Sequence, residues 1–340
     1  MGVLSFRCPR CDQLVFFENT TCLRCGLGLG FDTEQLTLVT FDNTTGRRCA
    51  NQAVAVCNWL VPRTDPDPDA LCLSCRLTRT RPSDSDETAL AAFADAESAK
   101  RRVVFQLLDL GLPVVCWADT PGGLGYDLLS SNGVPVVTGH EDGIVTIDLA
   151  ESDDPHREQV RQEMGEPYRT MLGHLRHETG HYYWTVLVEQ TERLAGFRAL
   201  FGDERADYGA AMNRHYTQGA PVGWRSEHVS AYAAMHPWED WAETFAHYLH
   251  IRDTLQTAAA FGMRIDAVDR ALSAVHLDRE PFDSILDDWL PLTYALNAVN
   301  RSMGRDDLYP FVLSLAAVRK LTWVHRTTVT HANTGTRSAA

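Results

Sequence analysis

An α+β fold is predicted by three observations. Eight of the nine cysteines lie before residue 80, short β-type runs follow up to about residue 149, and from Thr191 the pattern is helical almost throughout. Together they predict a small four-cysteine module over residues 1–80, a mostly helical domain with a small β-sheet over 87–326, and a disordered polar tail at 327–340. With 340 residues, 44% hydrophobic and 22% charged, the chain can bury a sizeable core and allows two domains.

The module is read from its cysteine spacing. Cys8-Pro9-Arg10-Cys11 and Cys22-Leu23-Arg24-Cys25 are two Cys-x-x-Cys knuckles ten residues apart, and together they can close a tetrahedral thiolate site, the zinc-ribbon arrangement. Cys49, Cys57, Cys72 and Cys75 contain one such pair and fall within 27 residues, which suggests a second structural zinc. One zinc instead of two stays open, as does a disulfide framework, which a reducing cytosol would not sustain. A region this small with few apolar residues needs metal to fold, and four thiolates leave no open coordination position for hydrolysis. Cys116, inside Leu112-Pro113-Val114-Val115-Cys116-Trp117, reads as a core residue.

Charge narrows the partners. The formal net charge is −14, and up to residue 80 eight Arg balance eight Asp or Glu. Neither count leaves the basic footprint that nucleic acid or an anionic membrane requires, so the ribbon is expected to contact protein. Lysine is confined to Lys100 and Lys320. No run reaches transmembrane length and Met1 to Cys8 lacks a signal-peptide core, so the expected address is the cytoplasm.

Arg81-Pro82-Ser83-Asp84-Ser85-Asp86-Glu87 is a polar boundary that supplies a helix cap, and a helix is expected from Thr88 to Leu110, ending at Gly111. Strands are expected at 113–117, 124–129, 134–138 and 144–149, with a turn at Gly139 to Gly143 containing His140, a polar loop residue. The edge of such a sheet can pair with an extended peptide. A charged helix is expected from Glu151 to Met164, a restart at Gly165-Glu166-Pro167, a helix to about Val188, and further helices near 191–201, 203–217, 226–235, 238–254, 266–276, 282–303 and 308–326.

The chemistry centres on Arg176-His177-Glu178-Thr179-Gly180-His181. On a helix, His177 and His181 are i and i+4, so both imidazoles leave one face about a turn apart and can share a metal. Glu178 can reach a water in the metal's open position. His174 lies on the same face and reads as a hydrogen-bonded neighbour rather than a ligand. A catalytic zinc needs a third protein ligand. The extended metzincin pattern would require Gly at 184 and His at 187, where this chain has Trp184 and Leu187. The remaining solution is a carboxylate on a later helix. Pro237 starts one, Glu239 and Glu243 share a face, and Asp240 lies about 100° away. One of the pair can bind zinc while the other orients a ligand histidine.

Arg176 to Trp184, His236-Pro237-Trp238-Glu239-Asp240-Trp241-Ala242-Glu243 and the N-terminal ribbon together resemble the bacterial zinc-binding metallopeptidases that carry an N-terminal zinc ribbon, over nearly the whole chain. The tract from Tyr232 to Glu243 also resembles the lethal-factor-like gluzincins, in which a Tyr precedes the ligand Glu by seven residues and an acidic residue follows four later. The resemblance implies a zincin-like peptidase domain, with catalytic zinc on His177, His181 and Glu239, and Glu243 behind them. It implies peptide hydrolysis by a zinc-held water, Glu178 as general base and Tyr232 as donor to the oxyanion. Two rivals remain: a zinc-stabilised protein-binding adaptor with a vestigial site, and a zinc amidohydrolase acting on a non-peptide substrate.

Overall fold

Each predicted knuckle needs a reversal after its second cysteine, and a left-handed residue supplies it. Asp12 (φ +59°) follows Cys11 and Gly26 (φ +72°) follows Cys25, and their amides donate to Cys8 O at 2.9 Å and Cys22 O at 2.8 Å. The computed structural model describes residues 5–41, 46–131, 135–153, 169–265, 270–271, 277 and 280–338. The chain divides into two units, Met1–Arg157 and Glu158–Ala340.

In the first unit three two-stranded antiparallel ribbons carry the cysteines. They are β1 (Phe6–Arg7) with β2 (Leu14–Val15), β3 (Leu29–Asp32) with β4 (Thr37–Thr40), and β5 (Arg47–Arg48) with β6 (Leu60–Val61). A short helix, α1 (Leu73–Arg76), holds Cys75, and β7 (Thr78–Thr80) follows. Helix α2 (Glu87–Asp109) starts on Asp86, whose side chain accepts from the Ala89 amide. Phe105 of α2 lies 5.5 Å from Phe17 and 5.6 Å from Phe31, which itself packs 4.8 Å from Trp59. Residues 81–87, where the polar boundary is expected, lie within this unit, and α2 after them supplies part of the ribbon's aromatic core.

Strands β8 (Gly125–Leu129), β9 (Gly139–Glu141) and β10 (Ile144–Asp148) join β7 in a four-stranded sheet of order β7-β8-β10-β9. Only β9 is antiparallel to its neighbour β10. The turn expected over 139–143 shrinks to Asp142-Gly143, both with positive φ, which suits a tight hairpin. A Cβ on Gly143 would meet Gly123 O at 2.4 Å, so glycine is required there. His140 consequently sits in β9 opposite Val145. The described residues 135–138 form no strand, and 113–117 contributes only a bridge from Cys116 to Leu124.

The second unit is helical: α3 (Met171–Trp184), α4 (Leu194–Phe201), α5 (Tyr208–Gln218), α6 (Pro237–Ala260), α7 (Phe282–Ser302) and α8 (Leu315–Ser338). The Gly165-Glu166-Pro167 restart and most of the expected helix at 151–164 lie outside the described residues. Residues 226–235 are not one helix but two short 3-10 turns, Trp224–Ser226 and Tyr232–Ala234, because Ser230 Oγ takes the Ala233 amide and restarts the chain. Of the expected helix 266–276 only Arg270–Ala271 lies within the described residues, and it is a strand, β12, paired with β11 (Arg264–Ile265). The tail expected from Thr327 is helical to Ser338, since α8 begins late and continues. Thr327 and Thr328 are buried, and Thr328 Oγ1 returns to Val324 O and His325 O.

The core of this unit is the crossing of α3 and α6. A Cβ on Gly180 would stand 3.2 Å from the Cα and O of Ala242, so the two helices approach as closely as backbone allows. Trp241 Nε1 donates to Gly180 O at 2.8 Å, and Tyr183 stacks on Phe245 at 5.6 Å. On the other side of α6, Lys320 of α8 donates to Asp240 Oδ2 at 2.6 Å. Gly180→Ala should therefore force the helices apart, outweighing its helix-propensity gain of about 1 kcal/mol with an overpacking cost of about 1–3 kcal/mol. A lower urea midpoint at unchanged helicity is the expected readout, and an unchanged or higher midpoint would contradict it.

Candidate active site

Helix α3 is capped by Thr170, which accepts from the Gly173 amide at 3.0 Å, and this sets the phase of the motif. His177, Glu178 and His181 are all buried, and their ligating atoms lie within 4.8 Å of one another. Pro237 opens α6 at a position where its missing N–H costs nothing, with Glu239 and Asp240 in the first turn.

The two helices bring their polar faces together at Glu239. Its Oε2 lies 3.0 Å from His177 Nε2 and 3.4 Å from His181 Nε2. Tyr208 OH, from α5, donates to the other oxygen, Oε1, at 2.9 Å. Glu243 stands one turn further on, behind the same histidine, with Oε1 2.7 Å from His177 Nδ1. Ser230 Oγ donates to Glu243 Oε2 at 2.5 Å, so one serine ties this carboxylate to the Tyr232 turn. Asp240 points elsewhere, into Lys320 and His228. His174 Nε2 is 3.4 Å from Glu178 Oε1. Tyr232 sits in its 3-10 turn with its ring 5.8 Å from that of His177, and Trp238 covers His181 at 4.0 Å.

The electrostatics favour positive charge between the two helices. Two buried carboxylates, Glu178 and Glu239, and the partly buried Glu243 surround the two imidazoles. Burial opposes charge on each, yet hydrogen bonds and the histidine charges hold Glu239 well below the usual range, Glu243 down to about 2 and Glu178 below normal. For His177, burial works against the proton, but Glu239 and Glu243 outweigh it and raise its affinity well above that of an ordinary histidine. Tyr232 and Tyr208 are both pushed up, by burial first and the Glu239 charge second, so both phenols stay protonated donors.

These residues fit a zinc ion. A tetrahedral ion with bonds of about 2.0–2.1 Å sets ligand–ligand edges of about 3.3 Å, close to the two Glu239–histidine distances. In the first unit, Cys8 Sγ to Cys25 Sγ is 3.7 Å, Cys11 to Cys22 is 3.6 Å and Cys57 to Cys72 is 3.6 Å. Zn–S bonds of about 2.3 Å give edges of about 3.8 Å. All nine cysteines are free thiols, which removes the disulfide alternative. Each set of four, Cys8, Cys11, Cys22, Cys25 and Cys49, Cys57, Cys72, Cys75, converges within 4.8 Å. Beside the second set, α2 buries Glu97, Lys100 and Arg101. Lys100 Nζ donates to Glu97 Oε1 at 2.5 Å, and Arg101 donates to Ala55 O at 3.1 Å, in the loop that leads to Cys57.

Sequence reasoning missed Tyr208 and Ser230. Tyr208 has no spacing relation to either motif, and only the fold carries α5 to Glu239. Ser230 lies two residues before Tyr232 but looks like any loop serine.

This constellation is a candidate zinc site of the His-Glu-x-x-His type, in a chain that also carries an N-terminal zinc ribbon. Residues 89–327 match the family described as "Putative zinc-binding metallo-peptidase" and residues 5–86 match a zinc-ribbon domain, and the chain belongs to that family. Among curated proteins it is similar to an uncharacterized protein of Mycobacterium bovis and to one of Mycobacterium tuberculosis, each 50% identical over 323 residues, 94% of this chain and 94% of the relative. No solved structure matches the chain significantly. Among the described residues no helix is long and apolar enough to cross a membrane.

The two glutamates should separate in a metal titration. Glu239→Gln is expected to abolish zinc binding at the histidines while leaving the thiolate sites filled. Glu243→Gln, which alters the group bonded to His177 Nδ1, should weaken it by about 10–100-fold. Chelator-competition affinities in the reverse order would exchange the two assignments.

Proposed function

We propose that the chain is a zinc-dependent peptidase in which His177 Nε2, His181 Nε2 and Glu239 Oε2 hold the catalytic ion. The observation that carries this reading is the convergence of both Nε2 atoms on one Glu239 oxygen, with Glu243 on the far nitrogen of His177. Zinc there would supply Lewis acidity, bringing the pKa of a water toward neutrality and polarising the substrate carbonyl.

The chain's own residues do the rest. Glu178 takes a proton from the attacking water as its oxygen adds to the peptide carbonyl carbon, then returns that proton to the amine nitrogen as the C–N bond breaks. His174, facing the Glu178 carboxylate, orients it. Tyr232, kept protonated, donates to the developing oxyanion. Tyr208 fixes Glu239 Oε1, which leaves Oε2 for the ion, and Glu243 holds the imidazole of His177 in one orientation. The intact base and its partner favour hydrolysis over a vestigial site in an adaptor, and a peptide over another amide rests on family membership.

We assign one structural zinc to each four-cysteine set, a cytoplasmic address to a chain whose thiols are all free, and a protein-contacting role to the ribbon. Metal analysis should give three zincs per chain, two released by thiol-blocking reagents and one by mild chelation. One zinc in total would remove the double-ribbon assignment.

Glu178→Gln should retain zinc and fold while lowering turnover of a proteome-derived peptide library by roughly 10² or more. Cleavage by this variant at the wild-type rate would exclude Glu178 as the base.

A further inference from the structure

The elements that bring residues to the site are α3, α6, the Tyr232 turn and α5. Of these, α5 differs in kind. Only Ala211 of its eleven residues is buried, yet Tyr208 reaches Glu239 and His215 packs against Tyr232 at 5.6 Å. Among the described residues of these elements, α5 alone carries exposed large apolar side chains, Met212 at 40% and Tyr216 at 57% exposure. Tyr208, Met212, His215 and Tyr216 fall at i, i+4, i+7 and i+8, so they form one stripe along the helix. Tyr208 and His215 turn inward to the site, and Met212 and Tyr216 continue the stripe outward. The opposite flank carries Arg214 and Gln218.

We propose that Met212 and Tyr216 form a substrate-recognition wall that takes a large apolar side chain next to the scissile bond. This rests on the peptidase reading and adds the class of substrate. The reacting groups are buried, Glu178 being 6% exposed, so a bound peptide must present its neighbouring side chain to whatever surface adjoins the site. That surface is continuous with Tyr208 and His215, and its outward flank is apolar. Burying a leucine or phenylalanine there removes apolar area from water on both partners, whereas an acidic or small residue gains nothing. Methionine suits the task, because its unbranched thioether adapts to side chains of different shape.

The probes are four dodecapeptide pools, each with one position fixed as Leu, Phe, Gly or Asp and the others randomised. The zinc-loaded full chain should cleave beside fixed Leu or Phe about 10-fold or more over Gly or Asp, the range that a hydrophobic pocket supplies. In a Met212→Ala, Tyr216→Ala double variant that ratio should collapse toward unity, with zinc content and thermal midpoint as controls for folding. A second arm reads retention of the same pools on tagged Glu178→Gln, with and without the two α5 substitutions. If no pool is cleaved, the hydrolytic reading falls, and retention alone decides the wall. Preferential retention of the Leu and Phe pools, lost in the α5 variant, supports it. Equal retention of all four pools, or an apolar preference that survives the double substitution, overturns it.

Discussion

The contact between Gly180 and Ala242 sets the rest of the second unit. With no side chain at position 180, α3 and α6 meet backbone to backbone, and Trp241 locks the register by donating to the Gly180 carbonyl. At that separation a glutamate on α6 reaches imidazoles on α3 without stretching. A wider crossing would leave the carboxylate and the histidines facing water between them. The glycine inside the histidine motif is thus a packing residue, and its cost in helix propensity is the condition for the polar faces to meet.

So close a crossing divides labour among the carboxylates of one helix. Glu239 and Glu243 point the same way but contact opposite nitrogens of His177. Asp240, one step around, serves the structure on the far side through Lys320. Successive residues of a helix thus supply a candidate ligand and a strut, because 100° of rotation turns one toward α3 and the other toward α8.

The sequence made much of this legible. Cysteine spacing exposed both ribbon clusters, since thiolate geometry leaves few arrangements, and the i, i+4 histidines declared a shared face. Helices such as α2, bounded by Asp86 and Gly111, were readable from their caps. The rest depended on long-range packing that local patterns do not encode. Phe105 looked like one more apolar residue of a helix, and only the ribbon's aromatic cluster claims it for the first unit. The tail after Thr327 looked polar enough to be disordered, but threonines that bond back to their own helix can be buried. Residues 226–235 have helical composition, and a single serine hydroxyl redirects them. Tyr208 and Ser230 carry no signature at all. Their importance comes from which carboxylate oxygen they find.

The two lysines have a consequence outside catalysis. Lys100 is wholly buried against Glu97, and Lys320 is nearly so against Asp240. The chain has no other lysine. The folded surface therefore presents no side-chain amine, and its positive charge is carried by guanidinium groups, which resist acylation at neutral pH. Enzymes that acetylate lysine, machinery that attaches protein tags through isopeptide bonds and amine-directed cross-linkers all lack a side-chain foothold on the native molecule. Such a foothold opens only on unfolding, so labelling at either lysine would report loss of structure rather than regulation.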